Sequence, residues 1–315
     1  MASIKRRYGA NFYTSFDLPS KDNRIAVYTR LAGSADDTAY FLGDDKNTII
    51  YTNKDGYVAQ KRHPKYKFIK KTSTVAQVMP KKSQAENLFK LLKPFLNMCE
   101  DMQILFVVNL VQQFLCNSSH FLSVISAPKG TGKSTMMKWW RKIIDPSKAE
   151  VTLMPSSPDE LKNHLSNHQF VAFDNTEPLN KMFSDIFCGA VTGVTVAKRQ
   201  LYTDCAEVIQ RLHNTIVLNG IDVIPHRSDL LDRAILFRLN KLEHEYRKGE
   251  AEIQESFDRD LPYILGSIFD TLTEYFKIKD TTNVTGKHRM SGAYKDCYII
   301  ATVLGVADEF VTAYG

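Results

Sequence analysis

The segment at residues 127–135 (Ala-Pro-Lys-Gly-Thr-Gly-Lys-Ser-Thr) has the residue types and spacing of a phosphate-binding loop. An apolar run precedes it and a helix-like run follows it, which is the context of the Walker A motif, with Ala127 in place of the usual first glycine. The glycines let backbone N–H groups turn toward phosphate oxygens, and Lys133 would contact the outer phosphates. The residues expected to bind a nucleoside triphosphate are Gly130, Thr131, Gly132, Lys133, Ser134 and Thr135.

A second candidate for nucleotide chemistry is Asp174, which ends the apolar run at residues 170–173. Such a run is typical of a buried strand in an α/β sheet. An acid at the end of this strand has the place of the Walker B aspartate, which helps to hold Mg²⁺. We therefore predict that Ser134 and Asp174 form the metal site for a Mg²⁺ ion bound with ATP.

A third strand is predicted at residues 214–220, and Asn219 lies at its end. This amide could orient an attacking water or contact the terminal phosphate. It could equally be a turn residue, because Asn-Gly is common where a strand ends. Residues 229–237 then have the pattern of a short helix that leads into another apolar strand.

Three segments are expected to position these motifs. Residues 1–80 contain short β-prone runs and a hairpin-turn signal at residues 53–56, which predict a small β-rich domain. Residues 81–242 contain two leading helices and then the strands and helices of an ATPase core. Residues 243–315 have apolar stripes at helical spacing and predict a helical C-terminal region.

After the predicted hairpin the chain becomes basic, and the aromatic residues Tyr66 and Phe68 are interleaved with the charges. The basic residues are Lys61, Arg62, His63, Lys65, Lys67, Lys70 and Lys71. One interpretation is a surface that contacts nucleic acid. The other is a solvated strand face that deters edge pairing, and the sequence leaves both open.

The composition is that of an ordinary soluble globular protein with material for a sizeable core. The 315 residues carry a net charge of +6, which permits a polyanionic partner without requiring one. Five dispersed cysteines, none in a C-x-x-C pair, argue against a disulfide framework or a zinc site. No secretory signal is visible, and the longest apolar segment is too short to cross a bilayer. We therefore expect a cytoplasmic protein with no membrane partner.

The order of the motifs resembles the core of AAA+ ATPases, in which a parallel sheet is flanked by helices. More narrowly, most of the chain resembles the MCM-like replicative helicases of phages and genomic islands. The segments that carry the resemblance are residues 132–135, 144–146, 174–188, 192–193, 198–204, 218–221 and 229–233. Residues 40–44 and 55–58 also look like the small β domain that precedes the ATPase in such proteins.

This resemblance implies several roles. Asn219 would be the sensor 1 residue, and Arg289, before an apolar helix, would be a sensor 2 residue that binds the nucleotide. Arg233, in Leu-Leu-Asp-Arg, matches the arginine finger, with Arg227 as a second candidate and a helix-end salt bridge as the alternative. Since an arginine finger acts on a neighbour's phosphate, the resemblance implies a homo-oligomeric ring, expected to be a hexamer.

Related helicases place a β-hairpin between the Walker B strand and sensor 1, where it grips a DNA backbone in the central channel. Here this segment is residues 194–202, with Lys198 and Arg199 expected at the tip. Their charges would pair with phosphates of single-stranded DNA irrespective of base sequence. A plain surface turn is the alternative.

One position departs from the AAA+ pattern. Many members have a Glu after the Walker B aspartate to activate water, whereas this chain has Asn175. Glu177 is near enough in sequence to act as a substitute base, but an extended segment could point it outward. The expected catalytic residues are Lys133, Asp174, Asn175, Glu177, Asn219, Arg227 and Arg233.

We therefore expect an ATP-dependent DNA helicase or translocase that acts as a ring on single-stranded DNA during replication of a phage or mobile element. One alternative is an AAA+ switch or helicase loader that binds DNA or a replication protein without processive unwinding. Another is an ATPase that acts on protein. A P-loop kinase is disfavoured, because Asn219 and Arg233 would then have no role.

Overall fold

The N-terminal part of the chain forms two small sheets, as its β-prone runs predict. The structure, a computed structural model, describes residues 27–176, 179–199, 207–220, 227–241, 250–284 and 288–315. Its first strands are β1 (Val27–Tyr28), β2 (Leu31–Gly33), β3 (Asp37–Phe41), β4 (Ile49–Asn53), β5 (Gly56–Gln60) and β6 (Lys67–Phe68). Strands β2 to β5 form an antiparallel sheet in chain order, and β1 pairs with β6. The predicted turn joins β4 to β5, and the φ of 133° at Gly56 favours glycine.

A five-stranded parallel sheet forms the centre of the fold. The remaining strands are β7 (Leu122–Ser126), β8 (Thr152–Leu153), β9 (Phe170–Asp174), β10 (Val194–Arg199), β11 (Glu207–Leu212), β12 (Thr215–Gly220) and β13 (Ala234–Arg238). The parallel sheet has the order β13-β7-β12-β9-β8, whereas β10 and β11 form a separate antiparallel hairpin. All carboxyl ends of the parallel strands therefore meet at one edge, the C-terminal edge, and all amino ends meet at the opposite, N-terminal edge.

Helices cover both faces of this sheet. They are α1 (Leu88–Leu92), α2 (Glu100–Gln112), α3 (Lys133–Ile144), α4 (Pro158–Asn167), α5 (Lys181–Thr192), α6 (Ser228–Leu231), α7 (Glu250–Ile278), α8 (Ser291–Val303) and α9 (Ala307–Tyr314). The two predicted leading helices are α1 and α2, which a 3₁₀ turn at Lys93–Phe95 separates. In the described part of the chain, no helix combines the length and the apolar character needed to cross a membrane.

The apolar side chains of the central strands alternate between two hydrophobic clusters. In β9, Phe170 and Ala172 belong to the larger cluster, whereas Val171 and Phe173 belong to the smaller one. The larger cluster also contains side chains from α1, α2, α3, α7, α8 and α9 and from the N-terminal sheet, and the smaller one contains those of α4 and α5. This confirms the predicted α/β fold with a small β-rich N-terminal part and a helical C-terminal part. The domain boundaries at residues 80 and 242 stay a prediction.

A buried ion pair joins the N-terminal sheet to the central fold. Arg30 Nε donates to Asp145 Oδ1 at 3.0 Å. The other N–H groups of this guanidinium donate at 2.8–3.0 Å to the carbonyl oxygens of Phe41, Leu42, Val75 and Pro146. Asp145 Oδ2 accepts from the backbone N–H groups of Gln169 and Phe170 at 3.0 and 3.3 Å. Burial alone would raise the pKa of Asp145, but the charges of Arg30 and Arg141 outweigh burial and lower it.

The segment that follows the N-terminal sheet crosses α7 at close range. The backbone N–H of Lys81 donates to the Pro262 carbonyl at 2.9 Å, and that of Ala85 donates to Asp270 Oδ2 at 2.8 Å. Between these contacts the chain passes over Gly266, where a Cβ atom would lie 1.8 Å from the carbonyl oxygen of Lys81. Only glycine therefore permits this approach of backbone to helix.

Gly266→Ala is expected to lower the free energy of unfolding by at least about 2 kcal/mol, because either the helix or the Lys81 backbone must move. Urea unfolding followed by circular dichroism measures this change. Gly292→Ala in α8 is the matched control, since no atom of the described residues lies within 4 Å of its added methyl group. That variant should be neutral or slightly stabilised, and equal losses in the two variants would contradict the predicted clash.

Two stacked histidines lie at the N-terminal edge of the central sheet. The rings of His120 and His213, which precede β7 and β12, have centroids 4.6 Å apart. Their Nε2 atoms donate to the carbonyl oxygens of Leu115 at 3.2 Å and Ser118 at 2.7 Å. Burial lowers the pKa of His120 to about 3 and that of His213 to about 4. Both rings are therefore neutral in the folded protein well below neutral pH.

Acidification should destabilise the protein through this pair. Below a pH of about 6.5 the unfolded chain protonates both histidines while the folded chain does not, so stability falls as the pH falls from there toward the folded pKa values. Between pH 7.5 and 5, each histidine should contribute up to about 2 kcal/mol of this loss. Urea unfolding at a series of pH values measures the slope. His213→Gln should reduce the slope of the free energy of unfolding against pH by the amount that corresponds to about one proton. An unchanged slope would contradict the lowered pKa of His213.

Candidate functional site

The loop that is predicted to bind phosphate, residues 127–132 (the phosphate loop), connects β7 to α3 at the C-terminal edge of the central sheet. Gly130 and Gly132 have φ angles of 78° and 84°, which glycine adopts without steric cost. Gly132 directly precedes Lys133, the first residue of α3. The loop thus leads into a helix N-terminus, where unpaired N–H groups and the helix dipole favour an anion.

The side chain of Lys133 lies across the phosphate loop. Its Nζ donates to the carbonyl oxygens of Ala127 at 2.7 Å and Pro128 at 2.9 Å. Thr131 Oγ1 donates to the same Pro128 oxygen at 3.0 Å. Burial lowers the pKa of Lys133, an effect that the Asp174 charge opposes. A bound phosphate would offer this ammonium group an anionic partner in place of neutral carbonyls.

Ser134 and Asp174 are in direct contact. Ser134 Oγ donates to Asp174 Oδ2 at 2.8 Å. The contact joins the first turn of α3 to the last residue of β9. A hydroxyl and a carboxylate are hard oxygen ligands of the kind that Mg²⁺ takes from proteins, together with waters and phosphates. The pair therefore fits Mg²⁺, and its role as the metal site stays a prediction.

Two N–H donors hold the other oxygen of Asp174. The Asn219 side-chain Nδ2 and the Asn175 backbone N–H both donate to Oδ1, the latter at 2.8 Å. Asn175 is exposed and has a φ of 51°. Nothing in the sequence indicates the contact of Asn219 with Asp174, because it depends on the register of β9 and β12. The expected roles of both asparagines in catalysis stay predictions, and Glu177 lies outside the described residues.

Asn97 is a further residue at the phosphate loop. Its Nδ2 donates to the carbonyl oxygens of Thr131 at 3.3 Å and Asn240 at 2.8 Å. The backbone N–H of Asn240 donates in return to the Asn97 carbonyl at 2.9 Å. Asn97 thus ties the loop to the segment after β13. Sequence reasoning misses it, since a single Asn between two helical segments belongs to no motif.

Arg233 lies at the N-terminal edge of the sheet, opposite the phosphate loop. It precedes β13, whose first residue, Ala234, pairs with Leu122 at the start of β7. The phosphate loop follows the other end of β7, about 13 Å farther along the strand. Arg233 NH1 donates to the carbonyl oxygen of Asp229 and lies 3.7 Å from Cys188 Sγ. The residue is therefore held by neutral groups of its own chain and is remote from its own phosphate loop.

Arg289 lies beside Arg233. The two residues line one cavity of about 210 Å³, together with Ser119, Thr192 and the first residues of α8. Arg289 NH1 is 4.0 Å from Asp232 Oδ2. The two arginines predicted to act on a nucleotide thus lie together, and any phosphate that reached one would be close to the other.

Arg227 has acidic partners. Its guanidinium lies 3.6 Å from Asp185 Oδ1 and 3.4 Å from Asp229 Oδ1. A guanidinium paired with two carboxylates of its own chain is less available to a phosphate of another molecule. This geometry favours Arg233 over Arg227 as the candidate finger.

The predicted hairpin is present, with one difference in its details. β10 and β11 pair in antiparallel register, and Lys198 and Arg199 are opposite Val208 and Glu207. Lys198 and Arg199 are thus the last two residues of β10 and lie in the paired part of the hairpin, whereas they were expected at its tip. Residues 200–206, which join the strands, lie outside the described residues.

The basic segment at residues 61–71 does not present its aromatic side chains to a ligand. Tyr66 and Phe68 pack in a small hydrophobic cluster with side chains of the N-terminal sheet. The Tyr66 ring stacks on His63 with centroids 4.9 Å apart, and Lys71 Nζ donates to Asn167 Oδ1 at 2.6 Å. These aromatic rings are therefore not free to stack on bases, which favours a solvated strand face.

Two solved structures are similar to this chain at low sequence identity. A structure of the NrS-1 C-terminal region is 14% identical with a TM-score of 0.44, over 84% of this chain and 72% of that one. A structure of JCV helicase is 14% identical with a TM-score of 0.37, over 71% of this chain and 61% of that one. No match was found among curated proteins.

A family model described as actinomycete integrative conjugative element replication protein matches residues 87–314. The match covers most of the chain and includes the phosphate loop, Asp174, Asn219 and Arg233. The chain therefore belongs to the family of actinomycete integrative conjugative element replication proteins.

Proposed function

We propose that this protein is an ATP- and Mg²⁺-dependent helicase or translocase that acts as a ring on single-stranded DNA in the replication of a mobile element. One observation carries the proposal. The residues that fit a nucleotide and its metal lie at the C-terminal edge of the sheet, whereas Arg233 lies at the N-terminal edge. One chain thus carries two halves of an ATPase site that are too far apart to meet within it.

The first half binds the nucleotide. The phosphate loop surrounds the phosphates with backbone N–H groups, and Lys133 exchanges its carbonyl partners for their oxygens. Ser134 and Asp174 would hold the Mg²⁺ ion, which would supply positive charge to neutralise the phosphates.

The second half serves a neighbouring subunit. Among the described residues, the hydrogen-bond partners of Arg233 are a carbonyl oxygen and a thiol, and both are neutral. A phosphate of a neighbouring subunit would therefore give this guanidinium a charged partner. Arg289 adds a second guanidinium at the same cavity. Because the two halves lie on different surfaces, subunits associate head to tail, and such contacts generate a ring when the rotation closes. A hexamer is the ring size that the resemblance implies.

The β10–β11 hairpin is the proposed DNA contact. It forms a sheet of its own, and β11 leads within two residues into β12, the strand that carries Asn219. The nucleotide site and the hairpin are therefore joined by one continuous stretch of chain. Lys198 and Arg199 would pair with backbone phosphates, which gives salt-sensitive binding without base specificity.

A slow ATP-dependent switch or helicase loader is the second candidate function. Asn175 favours it, because an amide cannot take a proton from water as the usual glutamate can. In that case nucleotide binding would assemble the protein on DNA or on a replication partner without processive unwinding.

Single-stranded DNA should stimulate ATP hydrolysis several-fold, and Lys133→Ala should abolish hydrolysis because the phosphates lose their cation. A phosphate-release assay with and without an oligonucleotide measures both effects.

The double variant Lys198→Ala with Arg199→Ala should keep basal hydrolysis and lose the stimulation and strand displacement. The matched control is Lys61→Ala with Arg62→Ala, which removes the same charges from the basic segment and should behave like the wild type. Absence of stimulation by any nucleic acid would contradict the helicase proposal.

Mixing two inactive variants should restore hydrolysis if the site is shared between subunits. Arg233→Ala keeps the phosphate loop and lacks the finger, whereas Lys133→Ala keeps the finger and lacks the loop lysine. Mixed rings contain interfaces with both groups, so activity should pass through a maximum as the mixing ratio changes. Arg227→Ala is the control: it should hydrolyse ATP by itself, and its activity should only fall as Lys133→Ala subunits are added. Mixtures of the first two variants that stay inactive at every ratio would exclude a trans-acting Arg233.

A further inference from the structure

We infer that Asn219 acts on the metal through Asp174: it is a positioning residue that turns the Asp174 carboxylate so that one oxygen serves Mg²⁺. The inference rests on the proposed function, since it assigns a task within the nucleotide site. It differs from the role that the resemblance implies, in which Asn219 senses the γ-phosphate.

The hydrogen bonds of Asp174 divide its two oxygens. Oδ1 accepts from the Asn219 side chain and from the Asn175 backbone, and Oδ2 accepts from the Ser134 hydroxyl. An ionised carboxylate oxygen has about two lone-pair positions, so Oδ1 is fully used by N–H donors. Oδ2 keeps acceptor capacity, and it lies beside the hydroxyl that fits the same ion. Because the N–H donors occupy Oδ1, Oδ2 is the oxygen of Asp174 that is left to face the metal.

Asn219 is fixed in the position that this task requires. Its neighbour Leu218 pairs with Phe173 across β12 and β9, so the next residues along each strand, Asn219 and Asp174, lie side by side. The Asn219 residue is only 1% exposed, which restricts the rotation of its side chain. Because Nδ2 must be the atom that faces a carboxylate, the amide has one chemically sensible orientation.

The side-chain oxygen of Asn219 indicates that a water molecule binds next to it. This Oδ1 is buried and finds no hydrogen-bond donor among the described residues. A buried acceptor without a partner is destabilising, so a donor is expected when the site is complete. A phosphate oxygen is an acceptor and cannot fill this place. A water molecule can, and waters complete the shell of Mg²⁺ in sites of this kind.

Asn175 contributes through its backbone. Its φ of 51° is in the left-handed region, which Asn tolerates better than most residues. Its backbone N–H donates to Asp174 Oδ1, and the chain turns directly after this contact. The geometry gives a physical reason for Asn at the position where related ATPases have Glu. The residue suits this backbone conformation, which a residue such as Glu adopts less readily than Asn.

Binding of ADP in a Mg²⁺ titration tests this inference, because ADP has no γ-phosphate to be sensed. For Asn219→Ala, the Mg²⁺ concentration that gives half of the metal-dependent gain in ADP affinity should rise about tenfold or more, as when other groups that orient metal ligands are removed. Binding of ADP without Mg²⁺ should be unchanged. Isothermal calorimetry or a fluorescent ADP analogue measures both quantities without any turnover.

Asn214→Ala is the matched control. Asn214 precedes β12, is also buried, and also donates through Nδ2, to the carbonyl oxygens of Leu165 and His168 at 2.8 and 2.6 Å. It should lose stability without any change in the Mg²⁺ requirement. Asn175→Gly keeps the backbone N–H and the positive φ, and it should likewise keep the wild-type requirement. If Asn219→Ala folds poorly, Asn219→Ser replaces it in the experiment. The serine hydroxyl is too short to reach Asp174, so this variant should show the same rise in the Mg²⁺ requirement.

The outcomes separate the inference from the proposed function. If Asn219→Ala and Asn219→Ser weaken only ATP binding and leave the Mg²⁺ requirement with ADP unchanged, Asn219 senses the γ-phosphate and the inference is wrong. If the wild-type protein shows no Mg²⁺-dependent binding of either nucleotide, the proposed function fails. A raised Mg²⁺ requirement with ADP in the Asn219 variants alone supports the positioning role.

Discussion

The buried ion pair between Arg30 and Asp145 is the contact on which the arrangement of the site depends. Asp145 follows the last residue of α3, the helix that begins with Lys133, and it also accepts the N–H groups at the start of β9, the strand that ends with Asp174. One carboxylate therefore fixes the far ends of the two elements whose near ends carry the phosphate-loop lysine and the candidate metal ligand. Arg30 joins the N-terminal sheet to the same carboxylate, and loss of one partner of such a pair typically costs about 3–5 kcal/mol.

The parallel sheet decides how the charged groups are distributed. Because every strand runs in the same direction, residues that follow strands collect at one edge and residues that precede strands collect at the other. Lys133 comes after β7, at the end of the phosphate loop, and Asp174 is the last residue of β9. Arg233, in contrast, precedes β13. A chain with this topology cannot bring Arg233 to its own candidate nucleotide site without breaking the sheet, so the connectivity that builds this candidate site also separates it from Arg233.

Much of the fold and part of the site could be predicted from the sequence. The glycines of the phosphate loop, the apolar run before Asp174 and the hairpin-turn signal at residues 53–56 are local patterns, and local patterns survive in the final structure. Predictions that depended on the surroundings of a side chain were less complete. Tyr66 and Phe68 alternate with lysines as nucleic-acid-binding aromatics do, yet they pack inward on the N-terminal sheet. Lys198 and Arg199 belong to the hairpin as predicted, but to its strand.

The sequence by itself determined the residue types of the phosphate loop and the order of strands and helices, because glycine conformations and hydrophobic periodicity act over a few residues. Only the tertiary structure decided which side chains meet across the sheet. The register of β9 and β12 places Asn219 against Asp174, and the fold around Asp145 recruits Arg30 from 115 residues away. Such contacts depend on strand pairing and burial over long separations in sequence, and no local pattern encodes them.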